Sequence, residues 1–233
     1  LREIEADPVR AVRLAADYWA GGNRETQTIP NVKRPTLQTA KLLTDALGLN
    51  KGGRMLEVGC GTGEVCAEIR GWGVDAVGMD ISLGKVAPGG RYVEGSVEAI
   101  PFPDGSFNMV LDSLSIYYTD MDKATAEIRR VLTPDGVSIH VLHHIEYVEW
   151  SLKVSSGVGT IEWLGSKSER ARGAVERHYP LAKLMTNVFE SKDDAVAHFE
   201  RHGLKALRIT EATQTDNDGS KVGVAYILVV QKQ

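Results

Sequence analysis

A glycine-rich turn between a short apolar strand and an amphipathic helix is the feature that most restricts the fold of this chain. Residues 54–58 (Arg-Met-Leu-Glu-Val) have the composition of a buried strand, and they lead directly into residues 59–63 (Gly-Cys-Gly-Thr-Gly). After that turn, apolar residues recur at helical spacing at Val65, Ile69 and Trp72. A strand, a tight turn and a helix begin a β-α-β unit, whose two strands must be parallel.

The same alternation continues along the chain and predicts a seven-stranded sheet. The predicted strands cover residues 54–58, 74–80, 91–94, 107–111, 137–142, 204–213 and 222–231, and a helix is predicted over 122–132. The last two strands are joined only by the turn-forming residues 216–219, so they form an antiparallel hairpin. We therefore expect an α/β, Rossmann-like, doubly wound fold with a mostly parallel sheet and an antiparallel C-terminal hairpin.

Two segments fall outside this alternation. Residues 1–35 contain one helical pattern and a polar stretch, and we expect them to form an N-terminal helical lid. Residues 144–190 are predicted to be a helical cap inserted after the fifth strand. The whole chain, 1–233, is then a single domain whose core comprises residues 36–143 and 191–233.

Composition excludes several classes of function. The 233 residues carry 27 Lys and Arg against 31 Asp and Glu, a net charge of −4 that disfavours nucleic-acid binding. The longest nearly apolar run, 222–230, is too short to cross a membrane, and the first residues lack a signal-peptide pattern. Cys60 and Cys66 cannot build a disulfide framework, and no Cys/His spacing indicates a metal site. We expect a cytoplasmic protein.

The glycine turn itself narrows the ligand. A dinucleotide fingerprint requires a third glycine where this chain has Glu64, and no Gly-Lys-Ser/Thr sequence follows as a P-loop would require. Phosphate-binding interpretations are therefore disfavoured. A tight strand–helix turn without a ligand remains open.

Four motifs occur in order along the chain. They are residues 55–63 (Met-Leu-Glu-Val-Gly-Cys-Gly-Thr-Gly), Asp80 at the end of the second strand, residues 98–107 (Glu-Ala-Ile-Pro-Phe-Pro-Asp-Gly-Ser-Phe) and residues 130–136 (Arg-Val-Leu-Thr-Pro-Asp-Gly). Together they resemble the motifs of class I S-adenosylmethionine-dependent methyltransferases. The resemblance implies S-adenosyl-L-methionine as cofactor, S-adenosyl-L-homocysteine as product, and methyl transfer to a small molecule, plausibly in secondary metabolism.

The resemblance also implies a cofactor site. Asp80 would accept hydrogen bonds from the ribose hydroxyls, although it could instead cap a helix, and Glu57 would support the turn and the cofactor's ammonium group. The other implied contacts are Gly59, Cys60 and Gly61 along the methionine portion, Ile81, Ser96 and Val97 at the adenine, and Asp112 and Ser113 after the fourth strand. Ser96 replaces the family's usual Asp, and the span from Asp80 to Arg91 is too short for the usual helix. Asp112 could alternatively end its strand in a turn.

Candidate catalytic residues follow the fourth and fifth strands. Tyr117, beside Tyr118, could orient the acceptor or simply pack in the core. His143 and His144 close the fifth strand, where one imidazole could act as a general base, or both could begin a loop.

The acceptor is predicted to be aromatic or apolar because the expected cap is rich in aromatic residues. No nucleic-acid or membrane partner is expected. The sequence leaves open whether O, N or C is methylated, and which oligomeric state forms. It also leaves open a protein of this fold that binds S-adenosylmethionine in a non-methylating or scaffold role.

Overall fold

A computed structural model describes residues 30–83, 86, 88–116, 119–143, 189, 191–215, 219 and 221–233. The predictions for the lid over residues 1–29, for Tyr117, for His144 and for nearly all of the cap lie outside the described residues. Within the part of the chain that the structure describes, no helix is long and apolar enough to cross a bilayer.

The described chain alternates strands and helices as the sequence predicts. In chain order the elements are α1 (Pro30–Ala46), a short 3-10 helix (Leu49–Lys51), β1 (Arg54–Val58), α2 (Glu64–Gly71), β2 (Asp75–Asp80), β3 (Tyr92–Glu94), β4 (Phe107–Ser113), α3 (Met121–Val131), β5 (Leu132–His143), α4 (Lys192–Arg201), β6 (Leu204–Thr215) and β7 (Lys221–Lys232). The first helix begins at Pro30, six residues before the helical pattern at Thr36, and proline suits a first turn because it lacks an N–H.

The strands form one seven-stranded sheet in the order β3-β2-β1-β4-β5-β7-β6. Strands β1 to β5 pair in parallel, whereas β7 is antiparallel to both β5 and β6. The predicted α/β fold with an antiparallel C-terminal hairpin is therefore confirmed. The hairpin turns back into the sheet, so that β7 is an interior strand and β6 is the edge.

Hydrophobic layers cover both faces of the sheet because alternate strand residues point to opposite sides. On one face, Leu56 and Val110 belong to the same buried cluster as Ile128 of α3 and Phe199 of α4. On the other, Met55 and Met109 cluster with Ile69 of α2 and Ala40 of α1. Both faces are apolar, and nearly all the strand residues in the centre of the sheet are buried.

Parallel pairing brings the ends of β1, β2, β4 and β5 to one edge of the sheet. Val58 lies opposite Met79 of β2 and Asp112 of β4, and Ser113 lies opposite Val141 of β5. His143 therefore extends two residues beyond the end of β4. This carboxyl edge is where doubly wound sheets bind their ligands.

Candidate active site

The glycine turn after β1 has a left-handed backbone at three positions. Gly59, Gly61 and Gly63 have φ values of +66°, +54° and +76°, a region that side-chain-bearing residues rarely adopt. A Cβ atom added at Gly59 would lie 2.3 Å from Cβ of Ser115. At Gly61, by contrast, such an atom would meet no described heavy atom within 4 Å apart from its chain neighbours. Protein packing requires glycine at Gly59. At Gly61 the space where a side chain would lie is open, as it would be beside a bound ligand.

Asp80 ends β2 and is linked directly to this turn. Its Oδ2 accepts the Gly61 N–H at 2.8 Å, and its Oδ1 accepts the Ser82 N–H at 3.1 Å. No helix follows it among the described residues between 81 and 90, so the capping interpretation has no support there. The short span after β2 does lack the usual helix over those residues. A half-buried carboxylate thus lies beside the exposed glycine of the turn.

Glu57 connects the turn to the helix that follows it. Its side chain is only 3% exposed, and Oε2 accepts the Cys66 N–H at 3.0 Å. The N-cap residue of α2 is Gly63, which has no side chain, so Glu57 satisfies one N–H group that the first turn would otherwise leave unpaired. Burial raises the pKa of this carboxyl to about 7, against a smaller opposing effect from the Cys66 thiol and amide. Glu57 therefore links the end of β1 to the helix that follows the turn, and its role at the cofactor's ammonium group stays a prediction.

The two cysteines flank this carboxylate and are both buried. Burial, reinforced by the negative charge of Glu57, raises the pKa of Cys60 and of Cys66 far above the usual thiol value. Both side chains stay protonated at neutral pH. They serve as packing groups rather than nucleophiles.

Asp112 anchors a strained turn at the end of β4. It is completely buried, and its Oδ1 accepts the Ser115 N–H at 2.9 Å, the Ser115 hydroxyl at 2.5 Å and the Ile116 N–H at 3.2 Å. Leu114, inside this turn, has φ +64°, which is unusual for a residue other than glycine. The geometry agrees with the interpretation in which Asp112 ends its strand in a turn. Direct contact of Asp112 or Ser113 with a cofactor stays a prediction.

Two residues behind this turn were not singled out from the sequence. Ser115 fills the space beside Gly59, and its hydroxyl lies 3.2 Å from the Val58 carbonyl oxygen. His140 places Nδ1 3.5 Å from the second oxygen of Asp112, and its Nε2 lies 2.9 Å from the Ser138 hydroxyl. The contact of Ser115 with Val58 depends on the pairing of β1 with β4, and that of His140 with Asp112 depends on the pairing of β4 with β5. No local sequence pattern indicates either contact.

Tyr92 at the start of β3 is a further residue that the sequence analysis missed. Its hydroxyl lies 3.3 Å from the Gly63 carbonyl oxygen and accepts a hydrogen bond of 2.8 Å from Arg70. The Arg70 guanidinium also lies over the ring, 5.1 Å from its centroid. Tyr92 therefore braces the far end of the glycine turn against β3.

The predicted adenine contacts lie close to the ends of β2 and β3. Ser96 forms a local turn, in which its hydroxyl accepts the Glu98 N–H at 3.2 Å. Val97 is buried in the core cluster, and Ile81 is half-buried next to Asp80. Their contact with adenine stays a prediction.

His143 is the one predicted acid–base residue that the described chain contains. It is the last residue of β5, is 2% exposed, and lies opposite Ala225 of β7. The structure places its backbone at the carboxyl edge of the sheet. Its role as a base stays a prediction.

Comparison with known proteins identifies the domain. A family model described as "Methyltransferase domain" matches residues 56–140, which include the glycine turn, Asp80 and the predicted later motifs. The demethylmenaquinone methyltransferase of Renibacterium salmoninarum is 35% identical over 108 residues, covering 43% of this chain and 46% of that protein. Residues 56–140 are therefore identified as a methyltransferase domain. The sequence resemblance is thereby confirmed, and the cofactor of the family is S-adenosylmethionine.

Solved structures of methyltransferases and related proteins share the fold. The 1,6-didemethyltoxoflavin-N1-methyltransferase of Burkholderia thailandensis, solved with 1,6-didemethyltoxoflavin and S-adenosylhomocysteine, has a TM-score of 0.63 at 16% identity and covers 100% of this chain and 90% of its own. A cyclase of the 4+2 type has a TM-score of 0.57 at 15% identity, covering 89% and 84%. The chain spans about half the length of the curated relatives it matches, including 46% of the Renibacterium protein.

Proposed function

We propose that this protein transfers a methyl group from S-adenosylmethionine to a small molecule. The observation that carries the proposal is the contact between the Asp80 carboxylate and the backbone of Gly61 at the carboxyl edge of the sheet. S-adenosylmethionine contains a ribose diol, an ammonium group and a sulfonium but no phosphate. A site built from carboxylates at strand ends suits it better than a phosphate-binding turn.

The residues present fit this cofactor. A Cβ atom added at Gly61 would meet no described heavy atom within 4 Å apart from its chain neighbours, so the methionine portion could pass beside this residue. Asp80 would hold the ribose hydroxyls by charge-assisted hydrogen bonds, which are stronger than neutral ones. Glu57 would act beneath the turn, holding it against α2 and lowering the potential near the cofactor's ammonium group. When bound, the cofactor supplies a methyl group on a positively charged sulfur.

The chain's own contribution to the transfer would be positioning. Displacement at a sulfonium requires the acceptor atom, the methyl carbon and the sulfur to lie in line, and correct orientation can supply much of the rate enhancement. His143, at the end of β5, would take a proton from an acceptor hydroxyl or acidic C–H group. Tyr117 and His144 stay candidates for orienting the acceptor.

The proposed acceptor is a small aromatic or apolar molecule. The relatives named above act on demethylmenaquinone and on 1,6-didemethyltoxoflavin, according to their names, and both are small molecules. The aromatic content of residues 144–190 supports the same class of acceptor. A place in secondary metabolism and a cytoplasmic location are parts of this proposal that rest on the sequence alone.

A second candidate function is binding of S-adenosylmethionine without methyl transfer. It is favoured by one observation, the similarity of the fold to that of a protein named as a cyclase. The two functions differ in their product. Formation of S-adenosylhomocysteine that depends on an added acceptor supports methyl transfer, whereas cofactor binding without turnover across a broad acceptor pool supports the second candidate.

Calorimetric titration with S-adenosylhomocysteine tests the cofactor site. Asp80→Ala should weaken binding at least tenfold, because hydrogen bonds to a charged group contribute about 1.5–3 kcal/mol each. The matched control is Asp45→Asn, which changes an exposed carboxylate paired with Lys41 on α1. Circular dichroism should show that both variants fold. Unchanged affinity in folded Asp80→Ala would contradict the proposed site.

A further inference from the structure

Three potential metal ligands meet between α3 and α4. The Asp122 Oδ1 atom lies 3.3 Å from Nε2 of His202 and 3.8 Å from Nδ1 of His198. One donor atom from each of the three residues lies within 4.8 Å of the other two. Asp122 is in the first turn of α3, whereas the histidines are one helical turn apart at the end of α4.

The second ring nitrogen of each histidine is occupied by another protein group. Nδ1 of His202 lies 2.8 Å from the His198 carbonyl oxygen, which can only accept, so this nitrogen carries the proton. The other nitrogen of His202, Nε2, is the one directed at Asp122 and is the atom that would bind a metal. Nε2 of His198 lies 2.9 Å from the Thr125 hydroxyl, so Nδ1, near Asp122, is the nitrogen of His198 that would bind. Metal-binding histidines typically have their other nitrogen held in this way.

The burial of the three residues suits a site with one open side. His198 is buried between Phe189 and Phe199, with ring centroids 5.6 Å and 5.2 Å away. The Asp122 side chain is 75% exposed and can adjust its position.

We propose that Asp122, His198 and His202 bind a divalent transition metal such as Zn²⁺, with water completing the coordination. Zinc bonds to imidazole nitrogen and to carboxylate oxygen are about 2.0–2.2 Å long, so ligand atoms in a tetrahedral site are roughly 3.3 Å apart. The observed separations from the Asp122 oxygen, 3.3 Å and 3.8 Å, are close to this value, and all three donor atoms lie within 4.8 Å of one another. Two imidazoles and one carboxylate are a donor set that suits zinc and its neighbours in the first transition row.

Such a metal would link two parts of the chain that are far apart in sequence. Residues 144–190 separate β5 from α4, and α4 is the first described helix after that insertion. Binding at Asp122 would fix the end of α4 against α3, where both helices pack on the same face of the sheet. The site is built from helices on that face, and none of its three ligands belongs to the glycine turn or to the strand ends.

Titration of the full chain with Zn²⁺, after removal of metal by a chelator and of any histidine tag, tests this proposal. We expect one equivalent to bind by calorimetry and to raise the midpoint of thermal unfolding. Asp122→Asn and His202→Gln should each weaken zinc binding at least tenfold and remove the thermal shift. Thr125→Val should weaken binding about 10–100-fold, the usual effect of losing a group that orients a ligand.

Asp193→Asn is the matched control, because Asp193 is an exposed acidic residue in the first turn of α4. It should bind zinc as the wild type does, and Co²⁺ in the wild-type protein should give the visible absorption of a tetrahedral site. The proposal is overturned if zinc causes no thermal shift, if Asp122→Asn or His202→Gln binds it equally well, or if Asp193→Asn loses the same affinity. The contacts around Asp122 would then serve only the packing of α3 against α4.

Discussion

Replacing Glu57 by glutamine should change how the stability of this protein depends on pH. The carboxyl is buried under the glycine turn, and its pKa is raised from the ordinary value of 4.5 to about 7, mainly by burial. The folded protein holds this proton more tightly than the unfolded chain, so the contribution of Glu57 to the free energy of unfolding is greatest below pH 4.5. This contribution falls as the pH rises from 4.5 to 7, and the full destabilisation by Glu57 is present above about pH 7.

The magnitude follows from the two pKa values. A difference between 4.5 and about 7, at 1.36 kcal/mol per pH unit, corresponds to about 3 kcal/mol of lost stability at high pH. Glutamine keeps an oxygen that can accept the Cys66 N–H at the position where Glu57 accepts it, but it cannot ionise. The free energy of unfolding of Glu57→Gln, measured relative to the wild type, should therefore increase by about 2.5 kcal/mol between pH 5 and pH 8.

Urea unfolding followed by circular dichroism at half-unit intervals of pH would measure this difference. Every other titrating group contributes equally to both proteins and cancels. Glu68→Gln, on the exposed face of α2, is the matched control, and its difference from the wild type should stay nearly constant. A constant difference for Glu57→Gln as well would refute the reasoning, since Glu57 would then titrate alike in the folded and unfolded states.

The remaining predictions concern the turns and the end of β5. Gly61→Val should fold but bind S-adenosylhomocysteine at least tenfold more weakly in calorimetry, because a branched residue at φ +54° is strained by about 1–2 kcal/mol and projects where the cofactor would lie. Gly59→Ala should instead lower the midpoint of thermal unfolding, since its Cβ would overlap the side chain of Ser115. Asp112→Ala should reduce the free energy of urea unfolding by at least about 3 kcal/mol, as three hydrogen bonds to a buried carboxylate are lost. His143→Ala and His143→Gln should lower turnover about 10²–10⁴-fold with cofactor affinity retained. A decrease in turnover of less than about fivefold in both variants, measured with the true acceptor, would contradict a role of His143 as a base.

The architecture of the sheet was predictable where local pattern and long-range packing agree. Residues 54–58 are apolar enough for a central strand, and the glycines that follow permit the backbone that the turn requires. Asp80 was identifiable because a carboxylate directly after a buried strand must lie at the carboxyl edge of a parallel sheet. These features depend on periodicity and on the chemistry of single residues.

Features that depend on strand order or register were not predictable. The contact of Asp112 with His140 exists because the two residues are register partners on β4 and β5, which lie 28 positions apart in the sequence. The hairpin of β6 and β7 was recognised, but its turn residues do not reveal which of the two strands pairs with β5. The approach of Asp122 to His198 likewise results from the packing of α3 against α4, and no spacing of residues indicates it.

The position of β7 inside the sheet has a consequence for how the chain folds during synthesis. Until residues 221–232 leave the ribosome, β5 has a partner on one side only, and its other edge presents unpaired amide groups along residues 136–143, which are buried in the folded protein. An edge of that kind readily pairs with a strand from another chain. The nascent protein should therefore depend on chaperones until residues 221–232 have emerged, and ribosome-bound fragments ending before residue 221 should remain sensitive to protease.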